Sequence, residues 1–467
     1  MAKKRTNSVD FAGGPAARYL LLVGVTILLA IGLLMAFSTS SGEAVIREVS
    51  QQGQAAASQG RSNSILSLLS GLSPSAFQSG IAQMVYIVVG VALAWLISRI
   101  DYHHFIRFAA PIGLAVVAGL IAVFAFPPTM GSHRWIPLGP ITFQPSELAK
   151  PVALVIAASA FSSLYTRAGS RSRLEVRDWI VPASLIATML ALIILEPDMG
   201  TTLIIGVGLA AVWLLCDLPA RFPLGLGVVG TLIVGAKLML SNDYGSNRIT
   251  GFIRTWTTGQ TAYQTLQAQY ALAGGGLAGV GPGLSRQKYT WLTQAQSDFI
   301  LAIVGEELGF LGTLAIVLSF VLILICGMRI AARAKDRLGR SLAGGAIVLL
   351  IFQAVLNIFA VTSLIPVTGK PLPFVTAGGT SLITSLSLVG IVLSVSRHGG
   401  GRPLQETTHA GSPFTRSPGG KTPRKKPPKK DRSRAKTRSK REENEHEDTI
   451  EWRWDSGAHL SGPGSRR

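Results

Sequence analysis

The chain has 467 residues, of which 48% are hydrophobic and only 15% are charged, whereas a soluble domain carries about 25% charged residues. The formal net charge is +20, but the basic residues lie mostly in short segments between apolar runs and in the C-terminal part. This distribution is typical of a membrane protein that keeps Lys and Arg on the cytoplasmic side. It excludes a soluble globular protein, and no nucleic-acid partner is expected.

Apolar runs recur along the chain, each long enough to cross a hydrocarbon core of about 30 Å. They predict an all-α integral membrane protein with about ten transmembrane helices. The predicted spans are 17–37, 80–98, 107–127, 146–164, 178–196, 198–216, 222–240, 299–327, 341–365 and 379–396. The first run lacks a convincing cleavage site and is followed by many others, so we interpret it as a span rather than a signal peptide. Pro197 predicts a tight break between the fifth and sixth spans.

Basic loops predict the topology and the domain boundaries. The basic residues at 3–5 place a cytoplasmic N-terminus at 1–16, and the Arg-rich loops after the fourth and eighth spans lie on the same side. The ten-span membrane domain covers 17–397, and both termini are expected in the cytoplasm. The tail at 398–467 is rich in Pro, Lys, Arg and Ser and is expected to be disordered. Anionic lipid is its expected partner.

Three segments on the predicted outer face are not apolar. The segment 38–79 is rich in Ser, Gly, Ala and Gln without periodicity, and we interpret it as a flexible loop. The segment 128–150 is dense in Pro, Gly and aromatic residues. The large outer loop 241–298, between spans 7 and 8, is rich in Gly. Long loops in compact proteins are usually functional, so the outer face is the expected location of the site.

Ionisable residues within or beside spans are costly and are therefore candidates for function. Glu147 and Lys150 lie three residues apart on one helix face at the start of the fourth span. This spacing predicts a local ion pair, a substrate-facing pair, or both. Glu196 and Asp198 flank the break at Pro197. Asp198 is a natural N-cap for the sixth span, whereas Glu196 closes an apolar run and has less structural reason to be there.

A second acidic group lies at the start of the eighth span. Asp298 follows the Gly-rich outer loop, and it can act either as an N-cap or as a functional acid. Glu306 and Glu307 follow on the same helix, where helical geometry turns Glu307 to the face opposite Asp298. We therefore expect one of the two glutamates to point away from Asp298, toward a structural partner.

Basic residues in the outer segments complement these acids. They are Arg286 and Lys288 in the string SRQKY, and Arg134, Arg248, Arg254 and Lys370 elsewhere. Basic side chains in a Gly-rich loop suit a phosphate-bearing ligand, with lipid headgroups as the alternative. The Gly-rich strings lack the Lys-Ser/Thr pair of a nucleotide-binding loop, and no metal-ligand spacing is present.

Four strings follow one another along the chain: RWIPLGPITFQPSELAK, EPDMGTT, GPGLSRQKYTWLTQAQSDFILAIVGEELGFLG and IPVTGKPLPFVTAGGTSL. In this order they resemble the shape, elongation, division and sporulation family of the FtsW/RodA type, over residues 15–397. The resemblance implies a peptidoglycan glycosyltransferase of the bacterial cytoplasmic membrane. It implies that lipid II, a disaccharide-peptide on an undecaprenyl pyrophosphate carrier, is polymerised on the outer leaflet. The implied partners are a class B penicillin-binding protein transpeptidase and other division or elongation proteins.

The resemblance also implies roles for individual residues. The family's essential acid corresponds to Asp298, which is the expected general base for the acceptor hydroxyl. Arg286, Lys288 and Lys150 are expected to stabilise the leaving pyrophosphate. A divalent metal can share that task, although no ligand cluster requires one and no other cofactor is implied. The remaining predicted substrate-binding residues are Glu147, Arg134, Glu196 and Glu306.

Some features depart from the family pattern or leave the function open. The string SRQKY resembles the division branch more than the elongation branch, but an elongation-type polymerase is an alternative. Where the family commonly has Pro-Glu-Ala-His-Thr, residues 293–297 read TQAQS, which removes two polar candidates near Asp298. Residues 377–381 read AGGTS where the family more often has YGGSS. A lipid II flippase and a scaffold that recruits partners through its tail are the rival functions.

Overall fold

A computed structural model describes residues 14–59, 78–128, 133–138, 141–169, 177–228, 230, 251–255, 257, 262–292 and 296–399. Its elements in chain order are α1 (Gly14–Gln59), α2 (Gln78–Arg99), α3 (Phe105–Ala122), β1 (Ile136–Leu138), β2 (Ile141–Phe143), α4 (Pro145–Gly169), α5 (Arg177–Leu195), α6 (Met199–Leu215), α7 (Tyr263–Gly274), α8 (Gln287–Thr290), α9 (Ile300–Ala332), α10 (Arg337–Val361) and α11 (Gly379–His398). Short 3-10 turns, Tyr102–His104 and Val123–Ala125, flank α3. Apart from one hairpin, the elements in the described ranges are helical, as predicted.

The described helices agree with the predicted spans. Seven of them are long and apolar enough to cross a membrane, and α5 and α6 are shorter apolar helices. Nine predicted spans coincide with these nine helices, and the described residues of the seventh, 222–228 and 230, are helical. The chain is therefore a multi-pass membrane protein, and about ten spans fit its helices. Residues 231–240 of the seventh span, residues 1–13 and the tail from 400 onward lie outside the described residues.

One prediction about a loop is wrong. The segment 38–79 was expected to be a flexible loop, but α1 continues without interruption to Gln59. The physical reason is that Ala, Glu, Gln and Arg, which are frequent between 43 and 59, have high intrinsic helix propensity. Extending an existing helix also avoids the cost of a new nucleus, so apolar periodicity is not needed. Residues 60–77 lie outside the described part of the chain.

Helix α10 lies at the centre of the described bundle. It packs against α4, α6, α9 and α11, and α11 packs in turn against α2. Small residues allow these close approaches: Gly344 lies against Leu215 of α6, and Gly345 lies against Leu154 of α4. Helix α2 is peripheral, with Val88 67% exposed. Polar residues on α10 are therefore held inside the protein, where they need hydrogen-bonding partners.

The eighth span is broken within its first third. Gly309 in α9 has a φ of 67° and a ψ of −162°, which is not helical. The Gly-rich loop after α7 fills the break: Val280 N donates to Glu306 O (2.9 Å) and Phe310 N donates to Gly276 O (2.9 Å). Backbone groups freed by a helix break must find other partners when buried. The loop is thereby bound to α9 through its backbone.

Glycine is required on both sides of this contact. Gly279 has a φ of 82°, and a Cβ there would overlap the backbone of Glu307. Gly309 also has a positive φ, and its Cβ would meet the backbone at Leu277 and Gly279. Side chains at both positions would push the two backbones apart, so glycine permits the close approach.

A hairpin leads into the fourth span. Strands β1 and β2 pair antiparallel, with Ile136 opposite Phe143 and Leu138 opposite Ile141. Helix α4 begins two residues after β2, at Pro145, which suits a first helical turn because its missing N–H is not needed there. The short connection places Glu147 in the first turn of α4, at the predicted outer end of the bundle.

Candidate active site

Glu147 and Lys150 form the ion pair that their spacing predicts. Lys150 Nζ lies 2.5 Å from Glu147 Oε2, and the side chains are only 2% and 1% exposed. Lys150 Nζ also donates to Oε1 of Gln353 on α10 (2.7 Å). Glu147 Oε1 is buried without a partner among the described residues. The pair therefore lies inside the bundle, and one carboxylate oxygen has unused capacity to accept a hydrogen bond.

A second buried ion pair joins Asp198 to Lys370. The nearest distance is 2.6 Å, and both side chains are almost fully buried. Asp198 also caps α6, as predicted, by accepting from Thr201 N (3.1 Å). Lys370 further donates to Thr201 Oγ1 (2.5 Å). The sequence identifies Lys370 only as one of several outer cations, and it does not predict the pairing with Asp198.

The environment of Asp198 favours its charged form. Asp198 lies in the turn before α6, outside the spanning helix. Burial acts to raise the pKa of its carboxyl group, but Lys370, followed by Arg134 and the bond from Thr201 N, outweighs burial. Together these groups hold the pKa of Asp198 well below its usual range. The pair is thus a charged, self-neutralising unit at the α5–α6 turn.

Glu196 and Arg134 meet at the same turn, although not as an ion pair. The guanidinium of Arg134 donates to the backbone oxygens of Glu196 (3.1 Å) and Pro197 (2.6 Å). The Glu196 side chain is fully buried, and its two carboxyl oxygens have no partner among the described residues. Burial, and secondarily the charge of Asp198, raise the pKa of Glu196 to about 8. Glu196 therefore holds a proton near neutral pH.

Glu306 and Glu307 both bind the Gly-rich outer loop. Glu306 accepts from the backbone N of Arg286 (2.8 Å) and from the hydroxyl of Ser285. Glu307 accepts from Lys288 Nζ (2.8 Å) and from Ser38 of α1 (2.6 Å). One glutamate was expected to point away to a structural partner, but each of them has structural partners in the segment 283–288. The break at Gly309 allows this, because the loop folds back against α9.

Asp298 lies half-buried immediately before α9. The N-cap of α9 is Phe299, without a side-chain bond, so Asp298 is not the N-cap that was one of its two predicted roles. Its backbone oxygen accepts from Nδ2 of Asn357 (2.9 Å), and the same nitrogen donates to the backbone oxygen of Lys370 (2.7 Å). Asp298 is thereby placed beside the segment that carries Lys370. The side chain of Arg286, by contrast, is exposed.

Sequence reasoning missed Gln353, Asn357 and Ser38. The first two are polar residues within an apolar span and lie four residues apart on α10, on one helix face. That spacing is a usable signal, because polar side chains inside a membrane need partners, but a survey of ionisable residues does not include amides. Ser38 gave no signal, because its partner Glu307 lies 269 residues away.

The predicted site residues form two groups in the structure. Glu147, Lys150, Glu196 and Arg134 lie around α4 and the α5–α6 turn, and Asn357 links Asp298 to Lys370, which binds this turn. Arg286, Lys288 and Glu306 lie in or against the Gly-rich loop. Among the described residues there is no cluster of three or more His, Cys, Asp or Glu side chains able to hold a metal ion. The divalent metal remains a prediction without a defined set of ligands.

Fold and site together define a polytopic helical membrane protein with buried ion pairs, one of which joins the Gly-rich segment after α7 to α9. The family model described as "Cell cycle protein" (FTSW_RODA_SPOVE) matches residues 61–400. The chain belongs to this family, as its sequence strings had indicated.

Two relatives and one solved structure show the extent of the similarity. The probable peptidoglycan glycosyltransferase FtsW of Geobacter metallireducens is 36% identical, over 69% of this chain and 85% of that protein. Stage V sporulation protein E of Bacillus subtilis is 35% identical, over 68% of this chain and 86% of that protein. A chain from a peptidoglycan synthase complex that coordinates polymerization and crosslinking has a similar fold, with a TM-score of 0.61 at 24% identity. That match covers 81% of this chain and 97% of the other.

Proposed function

We propose that this chain is a peptidoglycan glycosyltransferase that polymerises lipid II on the outer face of the cytoplasmic membrane. Its membership of a family with relatives named as such enzymes supports the activity. The observation that carries the proposal within the structure is the position of Asp298. This half-buried acid lies at the end of the outer loop, next to the segment that carries Lys370. Asn357 donates to the backbone oxygens of both Asp298 and Lys370.

The reaction needs one base and a cation. An acceptor hydroxyl oxygen attacks the anomeric carbon of the donor sugar, and the bond from that carbon to the pyrophosphate oxygen breaks. The pyrophosphate carrier leaves with the electron pair, and the hydroxyl proton passes to the carboxylate of Asp298. Negative charge develops on the leaving pyrophosphate, which an arginine or lysine can stabilise.

Arg286 is the best placed of the predicted cations for this task. Its side chain is exposed on the outer loop, while its backbone N is bound to Glu306. Lys150 and Lys288 are buried, and each is already neutralised by a carboxylate. A buried paired lysine gains less from a phosphate than an accessible arginine, which can also bind phosphate through two parallel hydrogen bonds. Arg286 is therefore the proposed leaving-group contact, and the two lysines support the site electrostatically.

The proposed setting follows the predicted topology. Both termini lie in the cytoplasm, and the Gly-rich loop with Asp298 lies outside. The proposed partner is a class B penicillin-binding protein that crosslinks the new strands, in keeping with the similarity to a chain of a complex that couples polymerization to crosslinking. Work in cell division is favoured over elongation by the string SRQKY and by the FtsW relatives.

The rival function is a lipid II flippase, and one assay separates the two. The purified chain, alone and with its transpeptidase partner, is incubated with fluorescent lipid II in detergent, where no leaflet exists to be crossed. Glycan strands resolved on a gel are the expected result. Their absence with and without Mg²⁺ and partner, together with lipid II translocation in vesicles, would support the flippase instead.

A further inference from the structure

Two buried amide side chains on α10 hold together segments that are far apart in the sequence. Asn357 is 1% exposed, and its Nδ2 donates to the backbone oxygens of Asp298 (2.9 Å) and Lys370 (2.7 Å). Gln353, one helical turn earlier, accepts from Lys150 Nζ (2.7 Å) and donates to Pro371 O (2.9 Å). The two amides thus bind the backbones of adjacent residues, Lys370 and Pro371. Each amide also bonds to a predicted site residue, Asn357 to Asp298 and Gln353 to Lys150.

The segment that the two amides bind has no regular secondary structure, although the Lys370 side chain is also held by its ion pair with Asp198. Residues 366–372 between α10 and α11 form no helix or strand, so no regular ladder satisfies their backbone groups. Buried carbonyl oxygens need donors, and an Asn or Gln amide has two N–H groups for this purpose. The residues before α9 are also joined to this segment through Thr376, whose Oγ1 donates to Ser297 O (3.2 Å) and accepts from Leu372 N (2.8 Å). A single side chain, Asn357, therefore bridges the Asp298 and Lys370 backbones directly.

We infer that Asn357 and Gln353 are positioning residues. Asn357 fixes the backbone that carries the Asp298 carboxylate relative to the backbone of Lys370, and Gln353 fixes the neighbouring Pro371 relative to Lys150. This inference rests on the proposed function for its kinetic consequence, but its structural content is independent of the reaction. A base displaced by about 1 Å can lose about 100-fold in rate. Helix α10 provides a rigid support, because it is packed on several sides at the centre of the bundle. A positioning role explains why amides occupy sites that apolar residues fill elsewhere on α10.

The kinetic test compares Asn357→Leu with the control variant Ser341→Ala and with the same substitution in an Asp298→Asn background. Leu has the same branched shape as Asn but no hydrogen-bond donor, and Ser341→Ala, a control on the same helix, removes a buried bond to Leu338 O away from the site. We expect Asn357→Leu to lower the polymerisation kcat by about 10-fold or more with little change in KM. In an Asp298→Asn background the same substitution should cause no further loss, because there is no base left to position. An equal loss in both backgrounds would overturn the inference.

The structural test uses hydrogen exchange, which does not depend on activity. Asn357→Leu should accelerate exchange in 296–302 and 366–376 together, and Gln353→Met should do so in 366–376. Gln353→Glu, which keeps the acceptor for Lys150 but loses the donor to Pro371, should loosen 366–376 as Gln353→Met does. Unchanged exchange in these segments, or a change no larger than that of Ser341→Ala, would refute positioning. If Asp298→Asn retains activity, the proposed base is wrong, while the exchange result still decides the role of Asn357.

Discussion

Lys288 and Glu307 form an ion pair 2.8 Å long in which neither side chain is more than 1% exposed. Ser38 of α1 bonds to both members, so the pair connects the outer loop, the broken span and the first span. Removing one member of such a pair leaves an uncompensated buried charge, which costs about 3–5 kcal/mol. The pair explains how a Gly-rich loop keeps a defined position. Removing the Lys288 side chain should therefore lower the melting temperature of the protein, and any loss of polymerisation rate should follow from this destabilisation.

The break at Gly309 should not tolerate a side chain. Gly309→Ala forces a residue with a Cβ into a backbone conformation that is nearly specific to glycine and against the Gly279 backbone. We expect a loss of about 2 kcal/mol or more, seen as a lower melting temperature in detergent. Gly206→Ala on α6 is the matched control, since a Cβ at that position would meet no other atom within 4 Å. Equal melting temperatures for the two variants would contradict the account of the break.

Glu147 and Lys150 should be thermodynamically coupled. Glu147→Gln and Lys150→Met should each destabilise the protein strongly, because each leaves one buried charge without its partner. The double variant should lose less than the sum of the single losses in thermal unfolding. The partly exposed pair of Asp217 and Arg337, in which Asp217 also contacts Arg340, provides the comparison, and removing Arg337 should cost less than about 1 kcal/mol. Additive losses at Glu147 and Lys150 would show that the pair is not coupled.

The predicted topology can be tested with an impermeant thiol reagent. Ser285 is buried and bonded to Glu306, so it is a poor labelling site, whereas its neighbour Leu284 is 65% exposed. Leu284→Cys should react in intact cells, and Lys335→Cys, on the predicted cytoplasmic side, should react only after lysis. The native Cys216 and Cys326 are buried and should give little background. Labelling of Lys335→Cys in intact cells, with labelling of Leu284→Cys only after lysis, would contradict the predicted topology.

Glu196 should make stability depend on pH. Its pKa, raised to about 8 in the folded protein by burial and by Asp198, exceeds the value of about 4.3 for an unperturbed glutamate. The unfolded chain therefore loses its proton first, and stability falls as pH rises from about 4.3 to about 8. Glu196→Gln stays neutral at every pH, so its melting temperature should rise relative to that of the wild type as pH increases through this window. Above about pH 8 the difference between the two melting temperatures should become constant. A constant difference between pH 5 and 9 would contradict the buried neutral form.

Local patterns in the sequence predicted much of the fold. Apolar runs located the spans because crossing a membrane requires a continuous apolar length, and Pro197 marked the break before α6. Short spacings predicted the Glu147–Lys150 pair and the cap at Asp198. These features all depend on residues within a few positions of one another, where helix geometry determines the contact.

Contacts between distant segments could not be predicted in this way. Lys370 is 172 residues from Asp198, and the pairing depends on how α6 and the segment after α10 meet in space. The bonds of Asn357 go to backbone oxygens, which every residue has, so no side-chain pattern reveals them. Gly309 lies near other small residues of the same apolar run, such as Gly305 and Gly312, and only the contact with the Gly-rich loop distinguishes it as a break.

The central claim is that Asp298 is the catalytic base, and Asp298→Asn tests it most directly. Asn keeps the shape of the side chain, and the contact of Asn357 is to the backbone of residue 298, so the fold should persist. The measurement is the initial rate of lipid II polymerisation by purified, partner-bound protein, with Asp217→Asn as the control at the predicted cytoplasmic end. The account predicts a fall of about 100-fold or more for Asp298→Asn and near wild-type rates for the control. An Asp298→Asn variant that polymerises lipid II at the wild-type rate would contradict it.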